Sequence, residues 1–163
     1  MLYVSTLSVS GEIAGAIGLA AVTHAPNWYQ FRIDDYHPIG CGPMAWTMLY
    51  AYWHSFKGAD QLFPVTPTDM ASAGASSPEV AEVAGEVAAS TETSHGQFGS
   101  AVFGRTWTSD LCKGIEYAQG RGYPGSRCLE ITGREFDKFE RIKEYIRSDR
   151  PVILNINHEG QGL

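Results

Sequence analysis

Between Gly42 and Ser55 the apolar positions Ala45, Met48, Leu49, Tyr52 and Trp53 follow the i, i+3, i+4, i+7, i+8 spacing of one helix face. Trp46 and Ala51 extend apolar character around the cylinder, which predicts a helix in the middle of a domain. Pro43 suits its first turn, where a missing N–H costs nothing. A second helix is announced by a capping box, Ser76 and Glu79, with Pro78 in its first turn. Val80, Val83, Ala84, Val87 and Ala88 form its inner stripe, while Glu79, Glu82 and Glu86 face water. A short helix is expected over 109–119, with Leu111, Ile115 and Ala118 inward and Gly120 as its stop. Thr132 and Glu135 form another capping box, opening a helix that turns Phe136, Phe139, Ile142 and Ile146 inward.

Strand patterns are fewer. "MLYVSTLSV" alternates as a short strand does, "SRCLEIT" fits another, and "PVILNIN" reads as a strand by its branched residues. "NWYQFRIDDYHPIG" reads as an ordered loop leading into the first helix, and "FKGADQLFPVTPTDMASAGASS" as a long loop. "STETSHGQFGSAVFGRTW" is polar and glycine-rich, so no regular structure is expected there. The order is a helical body first, with a strand-rich part only beginning as the sequence stops.

A length of 163 residues fits one domain with a real core. The net charge of -6 and the scattered basic residues give no electrostatic footprint for nucleic acid or an acidic membrane. Near the N-terminus the clean apolar stretch, Ile13 to Val22, is about half a membrane span. No Lys or Arg precedes Arg32, so a secretory signal is not recognisable. Met1 to Val22 is read as folded strand or helix, or as the remnant of a longer region, and 1–26 as an N-terminal extension. Of Cys41, Cys112 and Cys128, none has metal-ligand spacing, which argues against a zinc site. Cys112 and Cys128 either pair, which fits an oxidising, secreted setting, or remain ordinary buried thiols.

Cys41 stands between Gly40 and Gly42, just ahead of Pro43, and is therefore expected at the N-terminus of the first helix. Unpaired N–H groups and the macrodipole there favour an anion, hence the nucleophilic thiolate. The bland alternative is a small buried hydrophobe beside a tight turn. A Cys–His pair also needs an imidazole within reach. His37 shares the turn of Cys41 and is expected to be local or solvent-facing, while His54 lies more than three turns along the same helix. His24 and His95 fall in loops, where surface roles are expected.

Gly40-Cys41-Gly42-Pro43 followed by "MAWTMLYAYW" resembles the nucleophile segment of papain-fold cysteine peptidases. The nearest likeness is to the bacteriocin-processing, double-glycine leader peptidase type and its relatives. A weaker likeness runs through "RIKEYIRSDRPVILNINHEG". The resemblance implies an α+β, papain-like fold: a helical half carrying Cys41 and an antiparallel sheet half that looks incomplete. It makes 1–163 a single peptidase domain, expected to be truncated at the C-terminus. It casts Cys41 as nucleophile, Gln30 in "NWYQF" as a side-chain donor to the oxyanion, and His158 as base. Gln30 precedes Cys41 by eleven positions, so the intervening loop must bulge.

In that family the histidine usually opens the strand after this one. The rival reading therefore puts the base and its Asp or Asn partner beyond Leu163. Asn155 and Asn157 lie upstream of His158 and depart from the family order. The implied substrate is a peptide or protein, with no metal or organic cofactor and no nucleic acid. Two alternatives share the resemblance: an inactive peptide-binding module, and a Cys–His amidase or acyl transferase.

Overall fold

The computed structural model describes residues 26, 28, 30–34, 37–64, 77–98, 101–128 and 135–153. Its centre is helix α1, Cys41–Lys57, which starts one residue earlier and ends two later than the pattern predicts. Every position from Trp46 to Tyr52 is buried, so the helix is enclosed on all sides. Ala45 and Trp53, assigned to its inner face, are only half-buried.

Helix α2, Pro78–Ser90, buries the predicted stripe of Val80, Val83, Ala84, Val87 and Ala88 and packs it against α1. Its N-cap is Ser77, not Ser76, which lies outside the described residues. A turn at Thr91–Thr93 then leads into a hairpin where irregular chain was expected. Strands β1, Ser94–Phe98, and β2, Ala101–Arg105, pair antiparallel, with Ser94 opposite Arg105 and Gly96 opposite Phe103. Gly96 interrupts the apolar alternation, and the Phe103 ring lies against it. A Cβ there would stand 2.8 Å from the Phe103 ring, which lies across the glycine.

The helix expected over 109–119 is broken into α3, Thr108–Leu111, a 3-10 turn at Cys112–Gly114, and α4, Ile115–Gly120. The cause is tertiary. The Ile115 N–H turns to the Cys112 carbonyl, and the Leu111 carbonyl accepts Trp46 Nε1–H at 2.7 Å instead. Tyr50 O–H donates to the Gly114 carbonyl at 2.5 Å, and a Cβ on Gly114 would collide with the Trp46 indole 2.3 Å away. Trp46 stacks on Tyr50 with ring centroids 5.5 Å apart, and Tyr50 meets Tyr117 at 5.0 Å. Tyr117 O–H in turn donates to the Leu62 carbonyl at 2.8 Å. Burial pushes the Tyr50 phenol well above the ordinary tyrosine range and Tyr117 up to about 12, so both remain protonated donors.

Cys112 and Cys128 form a disulfide, Cα atoms 5.4 Å apart, which resolves the open choice in favour of pairing. It ties the 3-10 turn to the segment after α4. Ser126–Cys128 is not a strand, because the chain turns back there through the Ser126 N–H to Tyr123 carbonyl bond; residues 129–132 lie outside the described set.

Helix α5, Glu135–Arg147, buries Ile146 and half-buries Phe139 and Ile142; Thr132 and the Phe136 side chain are not described. At its end Asp149 ties α5 to the last turns of α1, through Tyr52 O–H to the Asp149 carbonyl and an ion pair from Lys57. Pro151–Ile153 is not part of a strand, and the rest of "PVILNIN" is outside the described residues, as is Met1–Val22. The fold is thus α+β, with one two-stranded sheet among the described residues. None of the described helices is long and apolar enough to cross a membrane.

Replacing Tyr50 by Phe keeps the ring stack but strands the buried Gly114 carbonyl. Urea unfolding is expected to show a loss of about 1–3 kcal/mol. An unchanged midpoint would mean that this bond does not hold the 3-10 turn to α1.

Candidate active site

Cys41 is the first residue of α1, and its thiol is free and exposed. The backbone creates this position. Gly40, the N-cap, has φ 100° and ψ 149°, a combination that an L side chain rarely adopts. A Cβ on Gly40 would also lie 2.9 Å from the Gly104 carbonyl oxygen. Gly104 is restricted in return, since a Cβ there would come 2.3 Å from the Pro38 carbonyl oxygen and 2.8 Å from the Gly40 nitrogen. The hairpin therefore rests backbone on backbone against the start of α1.

Two further contacts fix the same corner. A Cβ on Gly42 would meet Thr106 Oγ1 at 2.5 Å, so Thr106 lies against the first turn. Thr106 Oγ1 is 2.7 Å from Thr93 Oγ1, Thr93 is 2.9 Å from Thr91 Oγ1, and Thr91 donates to the Val87 carbonyl at 2.8 Å. This hydroxyl chain couples the end of α2 to the base of the hairpin and so to the Cys41 turn.

No side chain caps α1 and no acid stands in its first turn. Pro43 carries no N–H, and the first intrahelical bond is Met44 N–H to the Gly40 carbonyl at 3.2 Å. The Cys41 and Gly42 amides thus stand at the positive end of a helix dipole that no carboxylate in that turn compensates.

Gln30 is exposed, and the loop joining it to Cys41 is a backbone excursion that closes on itself. Ile39 N–H donates to the Phe31 carbonyl and Ile33 N–H to the His37 carbonyl, each at 2.9 Å, around an antiparallel bridge between Arg32 and Pro38. Gln30 and Gly40, ten positions apart in sequence, are the residues just outside the Phe31–Ile39 pair. Phe31 and Ile39 pack onto the core. Gln30 and Arg32, of opposite strand parity, are exposed.

The histidines divide clearly. His37 is local, as expected: its ring Nδ1 is 2.9 Å from Asp34 Oδ2. His95 sits on β1 rather than in a loop, with Nε2 3.4 Å from the Ile39 carbonyl oxygen and its ring centroid 6.5 Å from that of His37. Neither is hydrogen-bonded to the Cys41 sulfur. His54, in the last turns of α1, is about 20 Å along the axis from Cys41 at 1.5 Å per residue. His24, His158, Asn155 and Asn157 lie outside the described residues. The hairpin contact through Gly104 and Thr106 escaped the sequence reading, and its one visible trace is the glycine in "AVFGR".

Residues 23–162 match the model of the Peptidase_C39 like family, and the chain belongs to that family. No curated protein and no solved structure matches it.

Two glycine substitutions separate close approach from simple flexibility. Gly104→Ala drives a methyl into the Pro38 carbonyl and is expected to lower stability by about 1–3 kcal/mol. Gly85→Ala, in mid-α2 with nothing within 4 Å, is expected to raise it by roughly 0.5–1 kcal/mol. Thermal unfolding of both variants checks the opposite signs.

Proposed function

We propose that this chain is a papain-like cysteine peptidase that hydrolyses peptide bonds with Cys41 as nucleophile. The observation that carries the reading is an exposed thiol on the first residue of a buried helix whose N-terminus has neither a side-chain cap nor an acid in its first turn. Backbone N–H groups at a helix start are aimed at negative charge that develops there during reaction. Membership in a family named for peptidases supports the same class of chemistry.

In the proposed reaction Cys41 Sγ⁻ attacks the scissile carbonyl carbon and forms a C–S bond, moving an electron pair to the carbonyl oxygen. The Cys41 backbone N–H and the Gln30 side-chain N–H donate to that oxyanion. His158, as imidazolium, gives its proton to the leaving amine nitrogen as the C–N bond breaks. A water deprotonated by the same imidazole then cleaves the thioester, regenerating the thiolate–imidazolium pair and releasing the carboxylic acid, which loses its proton to solvent. Residues 23–162, the span matching the family, would form the peptidase domain. The Cys112–Cys128 disulfide suits an oxidising compartment.

The test is turnover of a mixed peptide library, read by mass spectrometry. Cys41→Ala and His158→Ala are expected to abolish cleavage, and Gln30→Ala to lower kcat by about 10²–10³. Full activity in Cys41→Ala refutes the assignment. Full activity in His158→Ala moves the base to another imidazole. A wild-type protein that opens isopeptide but not linear peptide bonds moves the reading to an amidase.

A further inference from the structure

Resting on that reading, we infer that Asp34 is a positioning residue: it clasps the 31–39 excursion and thereby holds the Gln30 donor beside the Cys41 amide. One carboxylate makes both bonds of the clasp. Asp34 Oδ1 accepts the His37 backbone N–H at 2.6 Å, and Oδ2 lies 2.9 Å from His37 Nδ1. Asp34 lies inside the Ile33–His37 backbone bond, and His37, the acceptor of that bond, lies inside the Phe31–Ile39 bond.

The two proposed oxyanion donors stand on opposite arms of this loop. Gln30 is at the foot of the first arm, and Gly40 followed by Cys41 at the foot of the second. The second arm is fixed from outside: Ile39 is buried, Gly104 rests on Gly40, and His95 approaches the Ile39 carbonyl. On the first arm, Phe31 is only partly buried, and Gln30, Arg32, Ile33 and Asp34 are exposed. Core packing alone therefore holds the first arm less firmly than the second. Trp28, two residues before Gln30, is buried and anchors the foot of this arm, and beyond it the polar links to the second arm include two backbone bonds and the Asp34 clasp. Loosening the clasp lets the arms splay and moves the Gln30 amide away from the oxyanion, while the helix end that activates the sulfur stays in place.

The test compares wild type with Asp34→Ala and Asp34→Asn, whose amide keeps an acceptor oxygen for the His37 N–H. In Asp34→Ala, kcat is expected to fall by at least about tenfold with KM within about twofold, the signature of a misplaced transition-state donor. The rate of Cys41 alkylation by iodoacetamide should stay within about twofold of wild type, since the helix start is untouched. Amide hydrogen exchange at Ile33 and Ile39 should accelerate, as expected where a local closure is loosened. Asp34→Asn should restore most of kcat and of the protection.

Parallel losses of kcat and of alkylation rate in Asp34→Ala overturn the inference, because they mark a general loosening of the site. Unchanged kcat with unchanged exchange overturns it as well. Should the wild-type protein cleave no peptide, the peptidase reading fails by itself. The clasp is then decided by exchange alone: faster Ile33 and Ile39 amides in Asp34→Ala support it, and unchanged ones overturn it.

Discussion

The contact on which the structure turns is between two backbones, Gly40 and Gly104, each lacking the Cβ that would force them apart. It sets the angle at which the chain enters α1, because Gly40 is held at a positive φ where a side chain would be strained. It also fixes the hairpin against the helix start, leaving Cys41 in solvent while its neighbours on both sides are buried. The position of the thiol is a consequence of steric exclusion, and the helix field then acts on whatever stands there.

Behind that corner the helix is rigid for a separate reason. Trp46 stacks on Tyr50, Tyr117 packs tilted against Tyr50, and their polar tips are spent on main-chain carbonyls of neighbouring segments. These bonds bend the 108–120 segment into a 3-10 turn and bind it to α1. The disulfide at Cys112 holds the same turn from its far side. At the other end, Lys57 and Tyr52 reach Asp149 after α5. A helix gripped at both ends and along its length keeps its first residue in place, which is what preorganised chemistry at that residue needs.

The legible parts of the sequence were those governed by local periodicity. The buried face of α2 follows from residue spacing alone. The enclosure of α1 follows from its apolar character all round, although Ala45 and Trp53 are only half-buried, and Gly-Cys-Gly-Pro marked its start because proline and glycine act on their own backbone. The hairpin was not legible. Its inward positions include Gly104, whose backbone touches Gly40 across a long sequence separation, and Gly96, which the Phe103 ring overlies. Neither shows in an apolar–polar pattern. The break at Cys112–Gly114 was hidden likewise, because the donors that capture its carbonyls come from α1. For the candidate site, the position of Cys41 at the start of α1 was legible, and the chain between Phe31 and Ile39 folds back on itself. How it closes depends on backbone bonds that no residue type announces.

With the Cys112–Cys128 disulfide intact, Cys41 is the one free thiol of the three cysteines, which permits a direct comparison. The rate of iodoacetamide alkylation is measured slightly below neutral pH, once on native protein and once in urea. Under the proposed reading of Cys41 as nucleophile, native folding is predicted to speed the reaction by about tenfold, the margin expected of an activated over an ordinary thiol. A native rate equal to or below the unfolded one would contradict the claim that the N-terminus of α1 activates this sulfur.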